Sequence, residues 1–259
     1  MPGLLGDPRD ILPRSTCDAW DSIAPFLPSG SYLAGGTAVV LYLKHRQSND
    51  LDFFTTEPLN VEALLDALTE SSLSFVTRRV APKGGSLAIT LGSTLIEFTN
   101  ASMVVMLEPT QRMAGIEVAS LGDLLAMKLA TITKRKALRD YDDIRAIEQI
   151  GGRRVEEGLA LAARRYTIPD DAGLLAIVRA LSEVGRCSPD PLVPTSHSGL
   201  IEYWSRRLPE ITASLSRWAV PELPNEIAAA VLNDNVDIDG SHEGETPSIG
   251  NSRRKPRRF

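Results

Sequence analysis

Two aspartates stand two positions apart, a spacing that could hold a divalent cation. Asp50 and Asp52 fall in a run of alternating character that predicts a strand over Asp50–Thr55. Successive side chains of a strand point to opposite faces, so both carboxylates project from one face. Carboxylates so close repel each other unless a cation lies between them. Their hard oxygens suit Mg²⁺ (or Mn²⁺) shared with a triphosphate, where the metal polarises the reacting phosphate.

A Gly-Gly-Thr loop precedes these aspartates between a predicted strand, Ser31–Ala34, and a predicted helix. Gly35 and Gly36 lack Cβ atoms, so the backbone can turn sharply and approach a ligand closely. The unpaired N–H groups that open the helix suit a phosphate, and Thr37 could add its hydroxyl. A lone Gly-Gly is usually a turn and a lone Asp-x-Asp is common on surfaces. Their combined order favours a site for phosphate and metal.

A lysine lies within the apolar stripe of another predicted helix, Leu121–Lys136. At 100° per residue, Lys128 shares that stripe with Leu121, Leu124, Leu125 and Ile132. A lysine placed there either reaches a cleft or snorkels to the surface.

The next predicted helix, Arg139–Ile150, carries three acids in its first turns. The same projection places Asp140 on the inward face, Asp143 on its flank and Asp142 on the opposite, solvated side. Asp140 is the better candidate for a role in the site and Asp143 the second. An inward Asp140 could instead be a structural partner of an arginine or lysine.

Two segments resemble a known family. The run GGTAVVLYLKHRQSNDLDFF is similar to the signature of AbiEii-type nucleotidyltransferases, the toxins of type IV toxin–antitoxin systems within the polymerase-β-like superfamily. The run LGDLLAMKLATITKRKALRDYDDI resembles that family's lysine-bearing helix and D-x-x-D element. Together they span roughly Tyr32–Ile150. The resemblance implies a transfer of a nucleotidyl group from an NTP to an acceptor.

The resemblance also implies roles for the acids. Asp50 and Asp52 would be catalytic metal ligands, and Asp140 a further catalytic residue. Glu97 matches the third carboxylate of the superfamily, as a general base or a metal ligand. On its predicted strand, Thr94–Thr99, Glu97 would share a face with Leu95 and Thr99, while Ile96 and Phe98 face the core. The alternative is a polar residue exposed on the sheet.

The family signature includes cationic and loop residues as well. Gly35, Gly36 and Thr37 would bind the NTP, and Lys128 would contact a phosphate or handle a proton. Arg46 would clamp phosphate oxygens, for which its forked group is well shaped, or would pair with Asp50 or Asp52. His45 is interpreted as a residue of the helix end without a role in the site.

Partners follow from the same resemblance. The acceptor would be tRNA or a protein, and an antitoxin protein would neutralise the toxin. A nucleic acid needs a basic surface, which Arg78-Arg79-Lys83 and Lys134-Arg135-Lys136-Arg139 could supply, although such clusters are mostly solvated. Two alternatives remain: a catalytically silent module that binds NTP and metal, and a small-molecule nucleotidyltransferase of the antibiotic-modifying kind.

The elements that position these residues indicate an α/β (α+β) fold of the polymerase-β-like type. A small mixed sheet would be followed by a helical C-terminal region. The predicted organisation is a nucleotidyltransferase core over 1–120, helices over 121–232 that complete the active-site cleft, and a disordered tail over 233–259. Other predicted elements are helices Asp10–Pro28, Thr37–His45, Val61–Ser71, Val155–Arg165, Ala172–Val184 and Gly199–Trp218, and strands Phe75–Val80 and Ser86–Thr90, with an irregular stretch before Ser120.

Composition restricts the class without naming a function. The 259 residues are 43% apolar and 24% charged, as in an ordinary globular protein, and the net charge of −5 gives no global attraction to nucleic acid. No apolar run approaches the roughly 20 residues of a membrane helix, and the start lacks signal-peptide features, which predicts a cytoplasmic protein. Cys17 and Cys187 belong to no CxxC pair. The P-loop motif G-x-x-x-x-G-K-[ST] is absent from the sequence.

Overall fold

The chain folds into a mixed seven-stranded sheet followed by a series of helices. The computed structural model describes residues 7–81, 85–168 and 170–215. The predicted α/β class, with a mixed sheet and a helical C-terminal region, is confirmed. Within the described residues the strands are β1 (Ser31–Ala34), β2 (Leu51–Thr55), β3 (Phe75–Val80), β4 (Ser86–Leu91), β5 (Thr94–Asn100), β6 (Gln111–Met113) and β7 (Ile116–Val118). The helices are α1 (Pro8–Ile11), α2 (Arg14–Ile23), α3 (Gly35–Leu43), α4 (Val61–Glu70), α5 (Leu121–Lys134), α6 (Leu138–Gln149), α7 (Val155–Arg165), α8 (Asp171–Leu181) and α9 (His197–Leu215).

The sheet brings the predicted acids to its centre. Strand order is β3-β4-β5-β2-β1-β7-β6, so β2 and β5 are neighbours. These two strands run parallel with Asp52 opposite Glu97, and β1 runs antiparallel to β2 with Ala34 opposite Asp52. On the other face, the rings of Phe53 and Phe98 stack in the core with 5.5 Å between their centroids. One face of the central strands is therefore left to the acids.

The helical layer packs around α5, which contacts α3, α6, α7 and α8. The approach of α7 is close, because a Cβ added at Gly158 would lie 2.5 Å from Leu125 Cγ of α5. The buried Tyr141 hydroxyl of α6 donates to the carbonyl of Ala180 of α8 at 2.9 Å. The apolar stripe predicted around Lys128 is confirmed, since its other members are all buried: Leu121, Leu124, Leu125 and Ile132.

Two predicted segments differ from the structure. The helix expected over Asp10–Pro28 is divided into α1 and α2, because Leu12 precedes Pro13 and takes an extended conformation (φ −92°, ψ 153°). The stretch expected to be irregular contains the β6–β7 hairpin, which turns at Ala114 and Gly115 with φ of 42° and 85°. Strands of three residues are too short to give a clear alternation.

The remaining boundaries agree within a few residues. The helix predicted over Ala172–Val184 ends at Leu181 and continues as a 3₁₀ turn to Arg186. No described helix is long and apolar enough to cross a bilayer. The end of the predicted helix Gly199–Trp218 and the predicted tail over 233–259 lie outside the described residues. The division into units 1–120 and 121–232 stays a prediction.

Candidate active site

Three acids share the exposed face of the central strands. Asp52 and Glu97 are directly opposite on β2 and β5, and both are half-buried. Asp50 lies one residue before β2, and its charge acts on Asp52. The predicted orientation of Glu97 is confirmed, because Ile96 and Phe98 on either side of it are fully buried. These three residues (Asp50, Asp52 and Glu97) are the strand acids.

The pKa values of Asp50 and Asp52 are both raised. The pKa of Asp52 is raised to about 6, first by loss of hydration and then by the charge of Glu97. The pKa of Asp50 is also raised by loss of hydration, with Glu97 adding to the effect and Arg139 opposing it. Among residues 7–81, 85–168 and 170–215, no side chain donates a hydrogen bond to the carboxylates of Asp50 or Asp52, and no cationic nitrogen lies within 4.0 Å of either.

The glycine loop passes directly beside Asp52. Gly35 has a φ of 65°, and a Cβ added to it would lie 1.9 Å from Asp52 Oδ2. At Gly36 an added Cβ would lie 2.3 Å from Nη2 of Arg46. Helix α3 begins at Gly35, and its N-cap, Ala34, provides no side-chain acceptor. The first N–H groups of α3 are therefore uncapped next to the strand acids, an arrangement that suits an anion.

Thr37 does not offer its hydroxyl to that loop. The side chain is fully buried; its hydroxyl donates to the carbonyl of Asp50 and lies 2.8 Å from Ser48 Oγ. The side-chain role predicted for Thr37 in binding NTP is therefore corrected. The hydroxyl instead links the start of α3 to the backbone that leads into β2. This link fixes the position of the segment that carries Asp50 and Asp52.

Lys128 reaches two buried aspartates of α6. Its Nζ lies 2.7 Å from Asp140 Oδ1 and 2.7 Å from Asp143 Oδ2. Burial alone would lower the pKa of Lys128, but the charges of Asp140 and Asp143 outweigh it and the pKa is raised. The raised pKa favours the charged form of Lys128, and its role as a phosphate contact or proton-handling group stays a prediction. Its charge also lowers the pKa of Asp52, which places it on the side of the strand acids.

Asp140 is fully buried and paired with two cations. Besides Lys128, it accepts hydrogen bonds from Arg135, with Nε at 2.9 Å and Nη2 at 3.3 Å. The structure supports the structural alternative for Asp140 over the catalytic one, because both carboxylate oxygens are bonded inside the protein.

Arg46 pairs with neither Asp50 nor Asp52, which corrects that prediction. Its Nε and Nη2 donate to the two oxygens of Asp143 at 2.7 and 2.9 Å, and Nη1 donates to the carbonyl of Gln47 at 2.7 Å. Each of the three nitrogens thus makes a hydrogen bond inside the protein, and the phosphate-clamp role of Arg46 stays a prediction.

His45 joins the same cluster, with Nε2 2.7 Å from Asp143 Oδ1. The set of Lys128, Asp140, Asp143, Arg135, Arg46 and His45 is here the helix network. In this network the cationic neighbours affect the pKa values of the two acids more than burial does. Burial would raise the pKa of Asp143, but Lys128, His45 and Arg46 lower it well below its usual range. The pKa of Asp140 is lowered for the same reason.

Asp142 is not the solvated acid that the helical projection predicts. It is fully buried, and Arg145 donates to its Oδ1 from Nε at 2.9 Å and from Nη2 at 2.6 Å. Arg145 Nη2 also lies 2.9 Å from Thr195 Oγ1, just before α9. The projection considers one helix alone and so does not include α9, which is distant in sequence and contacts α6.

The predicted basic clusters are largely engaged within the fold. Arg135 binds Asp140, Lys136 Nζ lies 2.6 Å from Glu183, and Arg79 Nη2 lies 3.1 Å from Glu97. Lys83 falls outside the described residues.

Comparison with known proteins places this geometry in a family. The model of the family "Nucleotidyl transferase AbiEii toxin, Type IV TA system" matches residues 22–194, about two thirds of the chain. The chain belongs to the AbiEii family. Among curated proteins, no sequence matches significantly.

Solved structures resemble this AbiEii-family protein at low identity. JHP933 from Helicobacter pylori is 15% identical with a TM-score of 0.47, over 85% of this chain and 99% of that one. MenT4, a nucleotidyltransferase toxin from Mycobacterium tuberculosis H37Rv, is 15% identical with a TM-score of 0.38, over 83% and 85%. These likenesses are weak, and the family assignment comes from the sequence match.

Membership of the AbiEii family makes the chain a nucleotidyltransferase. The matched segment contains the glycine loop, the strand acids and the helix network. The resemblance seen in the two sequence runs is confirmed, whereas the roles of individual residues stay predictions.

The two aspartates among the strand acids, Asp50 and Asp52, are suited to binding a divalent cation. Carboxylates with raised pKa and no cationic partner among the described residues are stabilised by an added positive charge. No group of three His, Cys, Asp or Glu side chains among the described residues is arranged to hold a metal. Two aspartates that leave other positions to water and substrate phosphates match the preference of Mg²⁺ better than a closed protein cage.

Local sequence patterns did not predict that His45 and Arg79 are neighbours of the site. Each contacts a predicted acid, Asp143 and Glu97 respectively. His45 stands next to Arg46 in the signature, so a search for partners of an inward Asp143 could have found it. Arg79 depends on the register of β3, which local sequence patterns do not fix.

Proposed function

We propose that this AbiEii-family protein transfers a nucleotidyl group from an NTP to an acceptor, with a divalent cation, Mg²⁺ or Mn²⁺, held by Asp50 and Asp52. One observation carries the proposal. Two half-buried carboxylates without a cationic partner among the described residues lie against a glycine loop and the uncapped start of α3. An anion and a cation thus have adjacent places, as a metal-bound triphosphate requires.

The proposed role of each residue follows from its position in the site. Gly35 and Gly36 let the triphosphate approach the N–H groups of α3, and Lys128 adds a fixed positive charge behind Asp52. Glu97 lies across Asp52 from the glycine loop, because β5 and β1 flank β2. Beside Asp52, Glu97 either takes the proton of the acceptor or completes the metal site. A bound cation supplies charge stabilisation for the reacting phosphates.

The partners proposed from the family are an antitoxin protein that neutralises the activity, and tRNA or a protein as acceptor. NTPs are cytosolic metabolites, and the proposed place of action is the cytosol.

The test is label transfer. Purified protein is incubated with each α-labelled NTP in turn, Mg²⁺, and total tRNA or cell extract. Asp50→Ala and Asp52→Ala are compared with Asp66→Ala, which removes an exposed acid from α4. We expect label on a macromolecule with the wild type and Asp66→Ala, and none with the other two variants.

Two other results would change the assignment. Metal-dependent NTP binding without transfer assigns the chain to the silent binding modules. Transfer that survives both Asp50→Ala and Asp52→Ala places the active site elsewhere.

A further inference from the structure

An arginine ends the row of residues that crosses the sheet through the strand acids. Arg79 of β3 is opposite Ala88 of β4, Ala88 is opposite Glu97, and Glu97 is opposite Asp52. Residues opposite one another in adjacent strands share a face. The side chain of Ala88 is only a methyl group, so Arg79 reaches across β4, and its Nη2 lies 3.1 Å from Glu97 Oε1.

A β-bulge accounts for the position of Arg79. The register of β3 against β4 shifts between Thr77 and Arg79, so that β3 has one residue more than its partner. Bulges of this kind redirect side chains. Arg78 reaches the same face and donates from Nε to Thr90 Oγ1 at 2.7 Å. Two adjacent arginines therefore lie on the face of the strand acids, and among the described residues only Arg79 of the two contacts Glu97.

We infer that Arg79 holds Glu97 away from Asp50 and Asp52 until a metal-bound NTP arrives. The inference rests on the metal site of the proposed function. Strand β3 lies on the far side of β5 from β2, so Arg79 draws the carboxylate of Glu97 away from Asp52. The described residues accordingly present no set of three acids arranged around a cation.

The contact between Arg79 and Glu97 is weak enough for a ligand to break it. Both side chains are more than a third exposed, at 38% and 36%, and pairs of this kind contribute little. In a metal-bound NTP the negative triphosphate attracts Arg79 and the cation attracts the carboxylate of Glu97, so both partners of the pair are offered an alternative. Without nucleotide, the protein thus binds a metal ion weakly, through only two carboxylates. It therefore prefers the metal–nucleotide complex to the free ion.

The test measures Mn²⁺ binding without nucleotide, by electron paramagnetic resonance or titration calorimetry. Arg79→Met is expected to bind Mn²⁺ about two- to fivefold more tightly than wild type, since only a weak pair has to be removed to free a third ligand. Arg78→Met is the matched control: it removes the same charge from the adjacent residue but leaves the Glu97 pair, and its effect is expected to be much smaller.

A third comparison isolates Glu97. In a Glu97→Gln background, Arg79→Met is expected to leave Mn²⁺ affinity unchanged. The inference is overturned by Arg79→Met binding Mn²⁺ no more tightly than wild type or not at all, by an equal effect of Arg78→Met, or by an effect that persists in Glu97→Gln.

Label transfer by the wild type separates this inference from the proposed function. Tighter Mn²⁺ binding by Arg79→Met together with no transfer by the wild type would reject only the transferase. Normal transfer with unchanged Mn²⁺ affinity in Arg79→Met would reject only the role of Arg79.

Discussion

The strand acids and the helix network are neighbouring groups of carboxylates that the fold treats in opposite ways. Asp140 and Asp143 are fully buried, and every one of their oxygens meets a cationic side chain or His45. Asp50 and Asp52 have no such partner among the described residues, and their pKa values are raised. An acid that is already compensated stabilises the fold, whereas one left uncompensated is available to a ligand. The pattern of partners, rather than acidity, distinguishes structure from function here.

The largest expected effect is on activity at the strand acids. Asp52→Asn should reduce label transfer about a thousandfold, because metal stabilisation of the reacting phosphates contributes several kcal/mol. Stability in urea should not fall, since the substitution removes a repelled charge. Transfer within tenfold of wild type would remove Asp52 from the metal site.

The reverse pattern is expected in the helix network. Asp143→Asn should lower the free energy of unfolding by about 3–5 kcal/mol, because it leaves the buried charge of Arg46 with a neutral partner and Lys128 with Asp140 alone. The measurement is urea unfolding followed by circular dichroism, with Asp66→Asn as control. A loss below about 1 kcal/mol would show that the network does not stabilise the fold.

A smaller effect should separate two glycines of similar conformation. Gly35 (φ 65°) and Gly92 (φ 59°) both have positive φ, so Gly→Ala at either position should cost about 1–2 kcal/mol of stability. Only Gly35→Ala should also reduce transfer, because its Cβ meets Asp52, whereas a Cβ added at Gly92 would meet no heavy atom within 4 Å among the described residues outside its chain neighbours. Equal transfer by both variants would mean that the loop tolerates the displacement.

The smallest expected effect is on how the free energy of unfolding changes with pH. The lowered pKa values of Asp140 and Asp143 contribute stability above about pH 4 that is lost as the pH falls below it. The raised pKa of Asp52, about 6, acts oppositely: without metal, stability falls as pH rises from about 4 to 6. Urea unfolding at each pH should show that second slope diminished in Asp52→Asn. An identical profile in both proteins would contradict it.

Local sequence patterns predicted which face of a strand or helix a side chain occupies, but not which residue it pairs with. Alternation along β2 and β5 predicted which side of the sheet Asp52 and Glu97 occupy, and helical periodicity predicted the buried position of Lys128. The pairing of Arg46 with Asp143 joins residues 97 positions apart, and no local pattern encodes it. The burial of Asp142 was also missed by the helical projection. Tertiary contacts decided these two cases.

The link from Arg46 to Asp143 also bears on how a substrate enters. Arg46 follows α3 and stands four residues before Asp50, while Asp143 belongs to α6, so the bond fastens the strand acids to the helical layer. A cleft fastened in this way does not widen by swinging the helices away from the sheet, because that motion would separate buried charges. The backbone that carries Asp50 and Asp52 is therefore expected to keep its position relative to α6 when a substrate binds.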